Sequence, residues 1–258
     1  MMKKKLLKHI VFLFILQTFG SCVNEMDMIE DVQDLETNSG QLYVSNPIIE
    51  RIIDYGGVKP SDDVLKVVRV LDLLYRSVPQ VKVIVEDLIR GNLKFRICVE
   101  YIPGSPMKSW YKSSNPPEIG FSNSIYITDA GVLHELLHFY TTHTYKTYMG
   151  RPNACEEYEV RVLTDLIMCK YYKNIKREYQ GMRPGDKLYV SYKEWIDNII
   201  KSVNYDEKVF KIGMQMYGAF CIMNFARDDR PGIAKLNEED LNSYSQILLR
   251  DFWFNYKR

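Results

Sequence analysis

Two histidines and a glutamate within five consecutive residues have the types and spacing needed for metal chemistry. The segment His134-Glu135-Leu136-Leu137-His138 places two imidazoles four residues apart. On an α-helix this spacing puts both side chains on one face, about one turn from each other, so both can reach a single Zn²⁺. Glu135 can exchange a proton with water at such a metal. The segment therefore predicts a zinc site with His134 and His138 as ligands and Glu135 as the catalytic acid and base.

The distribution of histidine favours this interpretation over two ordinary core histidines beside a helix glutamate. The chain has 4 histidines, and all except His9 lie between positions 134 and 143. Apolar residues surround the motif, so both of its imidazoles should be partly buried. A buried imidazole without a partner is costly, and a bound cation would remove that cost.

A catalytic zinc needs a third protein ligand, and His143 is one candidate. Metzincin peptidases resemble this arrangement, because they use a third histidine downstream in the pattern HExxHxxGxxH. Here the third histidine comes one residue too early, and Thr141 stands where that pattern has glycine. If the helix continues, His143 lies about 180° around the axis from His134. We therefore expect His143 at the surface or beside a ligand.

A glutamate on a second predicted helix is the stronger candidate. Glu157 lies 19 residues after His138. Together with the His-Glu-x-x-His segment it resembles the gluzincin metallopeptidases, in which a glutamate some twenty residues after the motif completes the site. Two positions depart from that family: Val160 stands where a smaller residue is common, and Arg161 where many members have an aspartate.

Two further carboxylates compete with Glu157 as the third ligand. Glu156 and Glu159 lie beside it, and helical periodicity puts both within the apolar face of the predicted helix, with Glu157 at its edge. The resemblance favours Glu157, with Glu156 and then Glu159 as alternatives. Three carboxylates in four residues are also typical of a solvated face. Asp165 could orient a ligand, or it could lie on the helix surface.

The resemblance covers roughly residues 118–170 and implies a zinc-dependent peptidase. In that clan a strand before the metal helix binds the substrate as an added edge strand, which Ile119–Thr128 could do. A tyrosine, histidine or arginine should stabilise the oxyanion, and the sequence does not identify it. A catalytically silent zincin-like binding or structural lipoprotein is the alternative, and a zinc hydrolase of a cell-wall amide is a third reading. The intact Glu135 favours an enzyme.

Local patterns predict an α+β fold over residues 45–258, with a small sheet before the metal helix and a mainly helical lobe after it. Asn46-Pro47 and Ser61-Asp62 are typical helix starts. Period-two alternation predicts strands. The expected helices are one from Pro47, one from Asp62 to Pro79, and others near 130–145, 154–172, 191–203, 206–226 and 237–254; the expected strands are 93–101 and 119–128.

The amino terminus is typical of a secretory signal peptide. Residues 1–21 combine four lysines with an apolar run too short to span a bilayer. The segment ends in Phe19-Gly20-Ser21-Cys22, which resembles a bacterial lipoprotein signal. The resemblance implies acylation of Cys22, a membrane contact through lipid, and a place in the bacterial cell envelope as an outer membrane lipoprotein. Residues 22–44 are acidic and are predicted to form a flexible tether.

Composition excludes some partners and leaves others open. The 34 basic side chains nearly balance the 33 acidic ones, so the chain lacks the basic excess of a nucleic-acid-binding protein. The predicted partner is a peptide or protein substrate, and the oligomeric state stays open. Besides Cys22 there are four cysteines, Cys98, Cys155, Cys169 and Cys221, with no zinc-knuckle or redox spacing, so both thiols and disulfides are compatible with the sequence.

Overall fold

The computed structural model describes residues 46–101, 109–144, 153–171, 185, 187–202, 206–218 and 248–254. The predicted signal segment, Cys22 and the tether lie outside these residues, as do Cys221 and the side chain of Cys155. Cys98 and Cys169 lie within them and are present as thiols. Among the described helices, none combines the length and the apolar character needed to cross a bilayer.

The first part of the domain is helical, as its start signals predict. Helix α1 (Pro47–Glu50) begins after Asn46, whose side chain accepts a hydrogen bond from the amide of Ile48. Helix α2 (Asp62–Ser77) begins after Ser61, which caps the amide of Val64 in the same way. These hydrogen bonds satisfy amides that the helix itself leaves without acceptors.

A third helix was not predicted. Helix α3 (Pro79–Arg90) starts at the proline that the sequence suggested only as the end of α2. Proline fits the first helical position because the amide it lacks would have no partner there. Val81, Ile84, Val85 and Leu88 are fully buried, so α3 adds one complete face to the core.

Three short strands form one mixed sheet. Its members are β1 (Arg96–Val99), β2 (Ser109–Lys112) and β3 (Glu118–Phe121), in the order β1-β3-β2. β3 runs parallel to β1 and antiparallel to β2. The strand predicted at 93–101 is confirmed in its centre, and β2 was missed because its four residues are too few for a periodic signal.

The strand expected at Ile119–Thr128 is shorter and lies elsewhere in the sheet than predicted. After Phe121 the chain turns into a 3₁₀ turn at Ser124–Tyr126, where the Asn123 side chain accepts from the amide of Ile125. β3 has a hydrogen-bonded neighbour on each side along its whole length. The expectation that this segment receives substrate as an edge strand is therefore wrong. β2 is the edge of the described sheet on that side.

Gly120 in the centre of β3 is required by the packing of its neighbour. The indole of Trp110 lies directly over it, and a Cβ at position 120 would lie 2.0 Å from Cε2 of the ring. Trp110 is 5% exposed and its indole N–H donates to Glu118. The tryptophan thus covers the sheet where a side chain on β3 would otherwise stand.

Two long helices follow the sheet and carry every residue of the predicted site. Helix α4 (Asp129–Thr144) packs against α2, the sheet and helix α5 (Asn153–Tyr171). The predicted limits of both helices agree with the structure to within a residue or so. Most side chains of α4 are buried on all sides, because other elements surround it.

The carboxyl-terminal part is helical where it is described. Helix α6 (Tyr189–Lys201) confirms the segment expected at 191–203. Helix α7 (Glu207–Gly213) continues as a π-helical turn at Met214–Gly218, and a second π-helical turn spans Leu249–Phe254. The helix predicted at 206–226 is thus confirmed in its first part; its remainder from residue 219, and residues 237–247 of the helix predicted at 237–254, lie outside the described part. The described elements form a mixed fold of helices and one small sheet.

Candidate metal centre

Helix α4 brings His134 and His138 together. The helix begins after Thr128, whose hydroxyl accepts from the amide of Gly131. Four residues, one turn and a little more, separate the two histidines. Their rings meet edge to face with centroids 4.7 Å apart, and the Nε2 atoms are 3.1 Å from each other. Both imidazoles therefore point the same nitrogen at the same place.

Glu157 on α5 completes a group of three converging ligands. Its Oε2 lies 2.9 Å from Nε2 of His138, and its Oε1 lies 3.4 Å from Nε2 of His134. Within the described residues these three are the group whose donor atoms could hold a metal ion, all within 4.8 Å of one another. His134 is 6% exposed and Glu157 is 5% exposed.

The spacing of these donor atoms fits a zinc ion. Ligand atoms around a tetrahedral Zn²⁺ stand at about 2.0–2.1 Å from the metal, which places them roughly 3.3 Å from each other. The two Nε2 atoms are 3.1 Å apart, and each lies near a different oxygen of Glu157, with Oε2 at 2.9 Å from His138 and Oε1 at 3.4 Å from His134, so these separations are close to that value. Two imidazole nitrogens and one carboxylate are also the donor set of many catalytic zinc sites. The residues present therefore fit the metal that the sequence predicts.

Glu156, the alternative third ligand, lies on the other side of His138. Its Oε1 is 3.1 Å from Nδ1 of that ring and accepts a second hydrogen bond, of 2.8 Å, from the hydroxyl of Thr141. A carboxylate can only accept, so Nδ1 of His138 carries the proton. Nε2 also faces a carboxylate, Glu157, so without a metal it carries a proton as well; a metal in the place of this proton would bind Nε2 while Nδ1 still donates to Glu156. Glu156 thus orients a ligand instead of joining the group.

Glu159, the other alternative, is directed away from the histidines. Its side chain is fully buried, and Oε2 accepts from the backbone amides of Leu248 (2.7 Å) and Leu249 (3.2 Å). It therefore caps the carboxyl-terminal helical turn. Asp165 is also buried and accepts a 2.6 Å hydrogen bond from the hydroxyl of Tyr192. The suggested position of Asp165 on the helix surface is therefore wrong.

Electrostatics keeps the carboxylates of this cluster charged. Burial favours neutral Glu157, but the charges of Arg161 and His134 outweigh it and hold the pKa of this carboxyl well below its usual value. Burial likewise opposes ionisation of Glu156, whose pKa is lowered by His138 and Thr141. The pKa of His138 is raised well above its usual value, because hydrogen bonds to Glu156 and Glu157 outweigh its burial. Negative charge therefore accumulates around the imidazoles, as a cation site requires.

Glu135 and His143 occupy different surroundings. Glu135 is 4% exposed and has no hydrogen bond or ion pair to another described residue. His143 is half-buried, and its Nε2 lies 3.1 Å from the hydroxyl of Tyr111 on β2. Its ring also packs on Phe139. His143 is outside the metal-binding group, as its angular position on the helix predicts.

Two contacts of the site were not predicted from the sequence. Arg161 pairs through Nε with Oε1 of Glu157, and only 13% of its side chain is exposed. The four-residue spacing of an acid and an arginine on one helix is a signal that could have predicted this pair. The hydroxyl of Thr141 contacts Glu156, a residue of the neighbouring helix, and no local pattern indicates that contact.

A surface depression of about 620 Å³ lies beside His143 and not at the three converging ligands. Asp54, Lys94 and Asn115 contribute to its lining, and none of His134, His138 or Glu157 does. This depression is therefore not part of the candidate metal centre.

Comparisons of the chain with protein-family models, with curated proteins and with solved structures find no match. The gluzincin-like and lipoprotein assignments therefore depend on the residues of this chain alone.

Proposed function

We propose that the chain is a zinc-dependent hydrolase that cleaves peptide bonds. The observation that carries the proposal is the convergence of Nε2 of His134, Nε2 of His138 and the carboxylate of Glu157 within 4.8 Å in the interior. A buried carboxylate, Glu135, stands next to the first of these ligands in the chain. A ligand group with a neighbouring acid and base is what hydrolysis by water needs.

Each residue has a separate role in this mechanism. His134, His138 and Glu157 would hold Zn²⁺, which acts as a Lewis acid and lowers the pKa of water to about 7. Glu135 takes a proton from the attacking water and returns it to the leaving amine. Glu156 holds the imidazole of His138 in the tautomer whose Nε2 is a ligand, and Thr141 holds Glu156.

An extended peptide is the substrate that suits the sheet. The edge of β2 can donate and accept backbone hydrogen bonds without displacing another described strand. β2 also packs on the metal helix, with Tyr111 against Phe139, the residue after His138. A peptide added along β2 would therefore run beside α4. In this proposal β2 takes the role that was predicted for the β3 segment, because both edges of β3 are already paired with other strands.

The test of the catalytic proposal combines metal content with one conservative substitution. Mass spectrometry of the purified protein should show about one zinc per chain, and His138→Ala should lose it. Glu135→Gln should keep the zinc and lower peptidase activity about 10²–10⁴-fold. Zinc in the wild type together with equal activity in Glu135→Gln would exclude the mechanism.

The burial of the three ligands also suits a zinc that only stabilises the fold, so a silent zincin-like binding protein is the second candidate. Zinc in the wild type with no hydrolysis of any peptide in a mixed peptide library would favour it. Absence of zinc after reconstitution would exclude both candidates.

We further propose that Cys22 is acylated and holds the domain of residues 45–258 to the bacterial envelope. The proposal rests on the basic and apolar segment before Ser21-Cys22 and on the acidic stretch after it. Mass spectrometry of the membrane fraction should detect a lipid-modified peptide that begins at Cys22. Cys22→Ala should remove the lipid and release the protein from that fraction, and an unmodified Cys22 in the wild type would contradict the proposal.

A further inference from the structure

Arg161 binds one of the two oxygens of the carboxylate ligand. Both residues lie on α5, one helical turn apart, and Nε of Arg161 donates to Oε1 of Glu157. The same oxygen lies 3.4 Å from Nε2 of His134, and the other oxygen, Oε2, lies 2.9 Å from Nε2 of His138. The side chains of both partners are largely buried, at 13% and 7% exposure. A buried ion pair at a carboxylate holds its orientation more firmly than a solvated one.

The three predicted ligands differ in the hydrogen bonds that hold them in position. His138 is held through its Nδ1 by Glu156. The corresponding atom of His134, Nδ1, is buried and has no hydrogen-bond partner among the described residues. In most metal sites each ligand histidine donates its second nitrogen to an acceptor. Position 161, where many gluzincins have an acidic residue that could support a histidine, is an arginine in this chain. Arg161 binds the carboxylate ligand instead.

A carboxylate ligand can bind a metal with one oxygen or with two. With both oxygens free, Glu157 could occupy two coordination positions, and a metal that also keeps its water would be five-coordinate. A cation on Oε1 competes with the metal for that oxygen and leaves Oε2 as the donor. It also places a positive charge near the metal, which weakens binding of a divalent ion.

We propose that Arg161 is a positioning residue that makes Glu157 a one-oxygen ligand, so that a metal held by the three ligands and one water would be four-coordinate. The inference depends on the metal site of the proposed function. It goes beyond that proposal because Arg161, which does not touch the metal, would control the number of ligand atoms that the metal binds.

Loss of Arg161 should have two opposite effects on the protein. Without metal, a variant such as Arg161→Met removes the cation from Oε1 of the buried Glu157 carboxylate, so the protein should be less stable than the wild type. A bound metal relieves this cost and is no longer opposed by the guanidinium. Metal binding should therefore become tighter, on the order of tenfold or more.

Cobalt substitution tests the inference without an activity assay. Co²⁺ is added to the purified metal-free protein, and the visible absorption and the binding isotherm are recorded. Four-coordinate, tetrahedral cobalt absorbs more strongly than five-coordinate cobalt, because the tetrahedral field mixes more p character into the d orbitals. The wild type should give strong four-coordinate bands. Arg161→Met should give weaker bands and tighter binding, and Arg161→Lys, which keeps the charge, should restore the wild-type spectrum.

Arg76→Met is the matched control, because Arg76 and Asp72 form the same four-residue ion pair on α2 with no contact to the candidate site. It should leave spectrum and affinity unchanged. If Arg161→Met does not fold, Arg161→Gln is measured against the same criterion. An Arg161 variant with unchanged bands, whatever its affinity, overturns the inference while the proposed function stands. A wild type that binds no cobalt and no zinc overturns both.

Discussion

Three glutamates at the start of α5 have the same chemistry and three different surroundings. Glu157 faces two imidazole nitrogens, Glu156 faces the opposite nitrogen of one of them, and Glu159 accepts from two backbone amides. Each step of one residue turns the side chain by about 100° around the helix axis. A carboxylate on α5 can therefore meet the histidines, support one of them or contact the carboxyl-terminal segment, depending only on its position.

The division of roles between Glu156 and Glu157 predicts different losses of zinc. Glu157→Ala removes a donor atom and should abolish stoichiometric zinc binding. Glu156→Gln keeps the site but exchanges a charged acceptor for a neutral one, so the dissociation constant for zinc should rise about 10–100-fold. Isothermal titration of both variants checks this. If Glu156→Gln lost all zinc and Glu157→Ala kept it, the two roles would be reversed.

The position of Glu159 predicts a loss of stability with no loss of metal. Glu159→Ala leaves two buried amides without their acceptor, which should lower the free energy of unfolding by about 1–3 kcal/mol. Zinc stoichiometry at room temperature should stay at the wild-type value. Glu207→Ala is the control, because Glu207 pairs with Lys211 at the surface and its loss should cost about 0.5 kcal/mol or less. Urea unfolding measures the difference. Loss of metal in Glu159→Ala would make Glu159 a candidate ligand again.

At the scale of elements, the sheet and α4 depend on each other. β2 covers β3 with Trp110, and Tyr111 on the same strand packs on Phe139 of the metal helix. Phe139 in turn meets Phe95, the residue just before β1. The histidines are thus held by a helix whose other side is packed against the sheet, so their separation is set by buried contacts.

Gly120 offers a test of that packing. Gly120→Ala puts a methyl group where the indole of Trp110 lies, and the overpacking should lower the free energy of unfolding by about 1–3 kcal/mol. The double variant Gly120→Ala, Trp110→Leu should recover part of the loss caused by the first substitution alone, because the smaller side chain leaves space. Thermal unfolding of the single and double variants checks this. Strictly additive losses would show that the two side chains do not compete for the same space.

At the scale of the whole molecule, the candidate ligands connect two central helices. α4 packs on the sheet and α2, and α5 packs on α4, on α6 and on the carboxyl-terminal turn. A metal held between α4 and α5 would therefore stabilise the contact on which most of the described fold depends. Ligands that bind only the native state raise stability through mass action.

Removal of the metal should consequently lower the melting temperature. At a zinc concentration about 100 times the dissociation constant, binding contributes about 2.7 kcal/mol, which corresponds to roughly 5–10 °C for a chain of this size. Differential scanning calorimetry with zinc and after chelation measures the shift. His138→Ala should show no shift between the two conditions, and an equal shift in that variant would assign the effect to metal bound elsewhere.

The sequence by itself determined the features that depend on neighbours along the chain. Capping residues predict the starts of α1 and α2. The helical period places His134 and His138 on one face of α4, and local sequence also predicts the limits of α4 and α5. Helices α4 and α5 could be predicted because both are long and because Gly150-Arg151-Pro152, a sequence typical of a loop, separates them. The mixed class of the fold followed from the order of these elements.

Only the tertiary structure decided features that depend on distant residues. Helical period put Glu156 and Glu159 in the apolar face of α5 and left the third ligand open, because it does not show which neighbour each carboxylate meets. The edge strand was predicted at Ile119–Thr128, but β2 lies at the edge in the structure, because strand order is set by pairing between residues far apart in the chain. The hydroxyl of Thr141 meets Glu156 only because α4 packs on α5, and the cost of leaving a buried polar group without a partner is the physical reason that such contacts form.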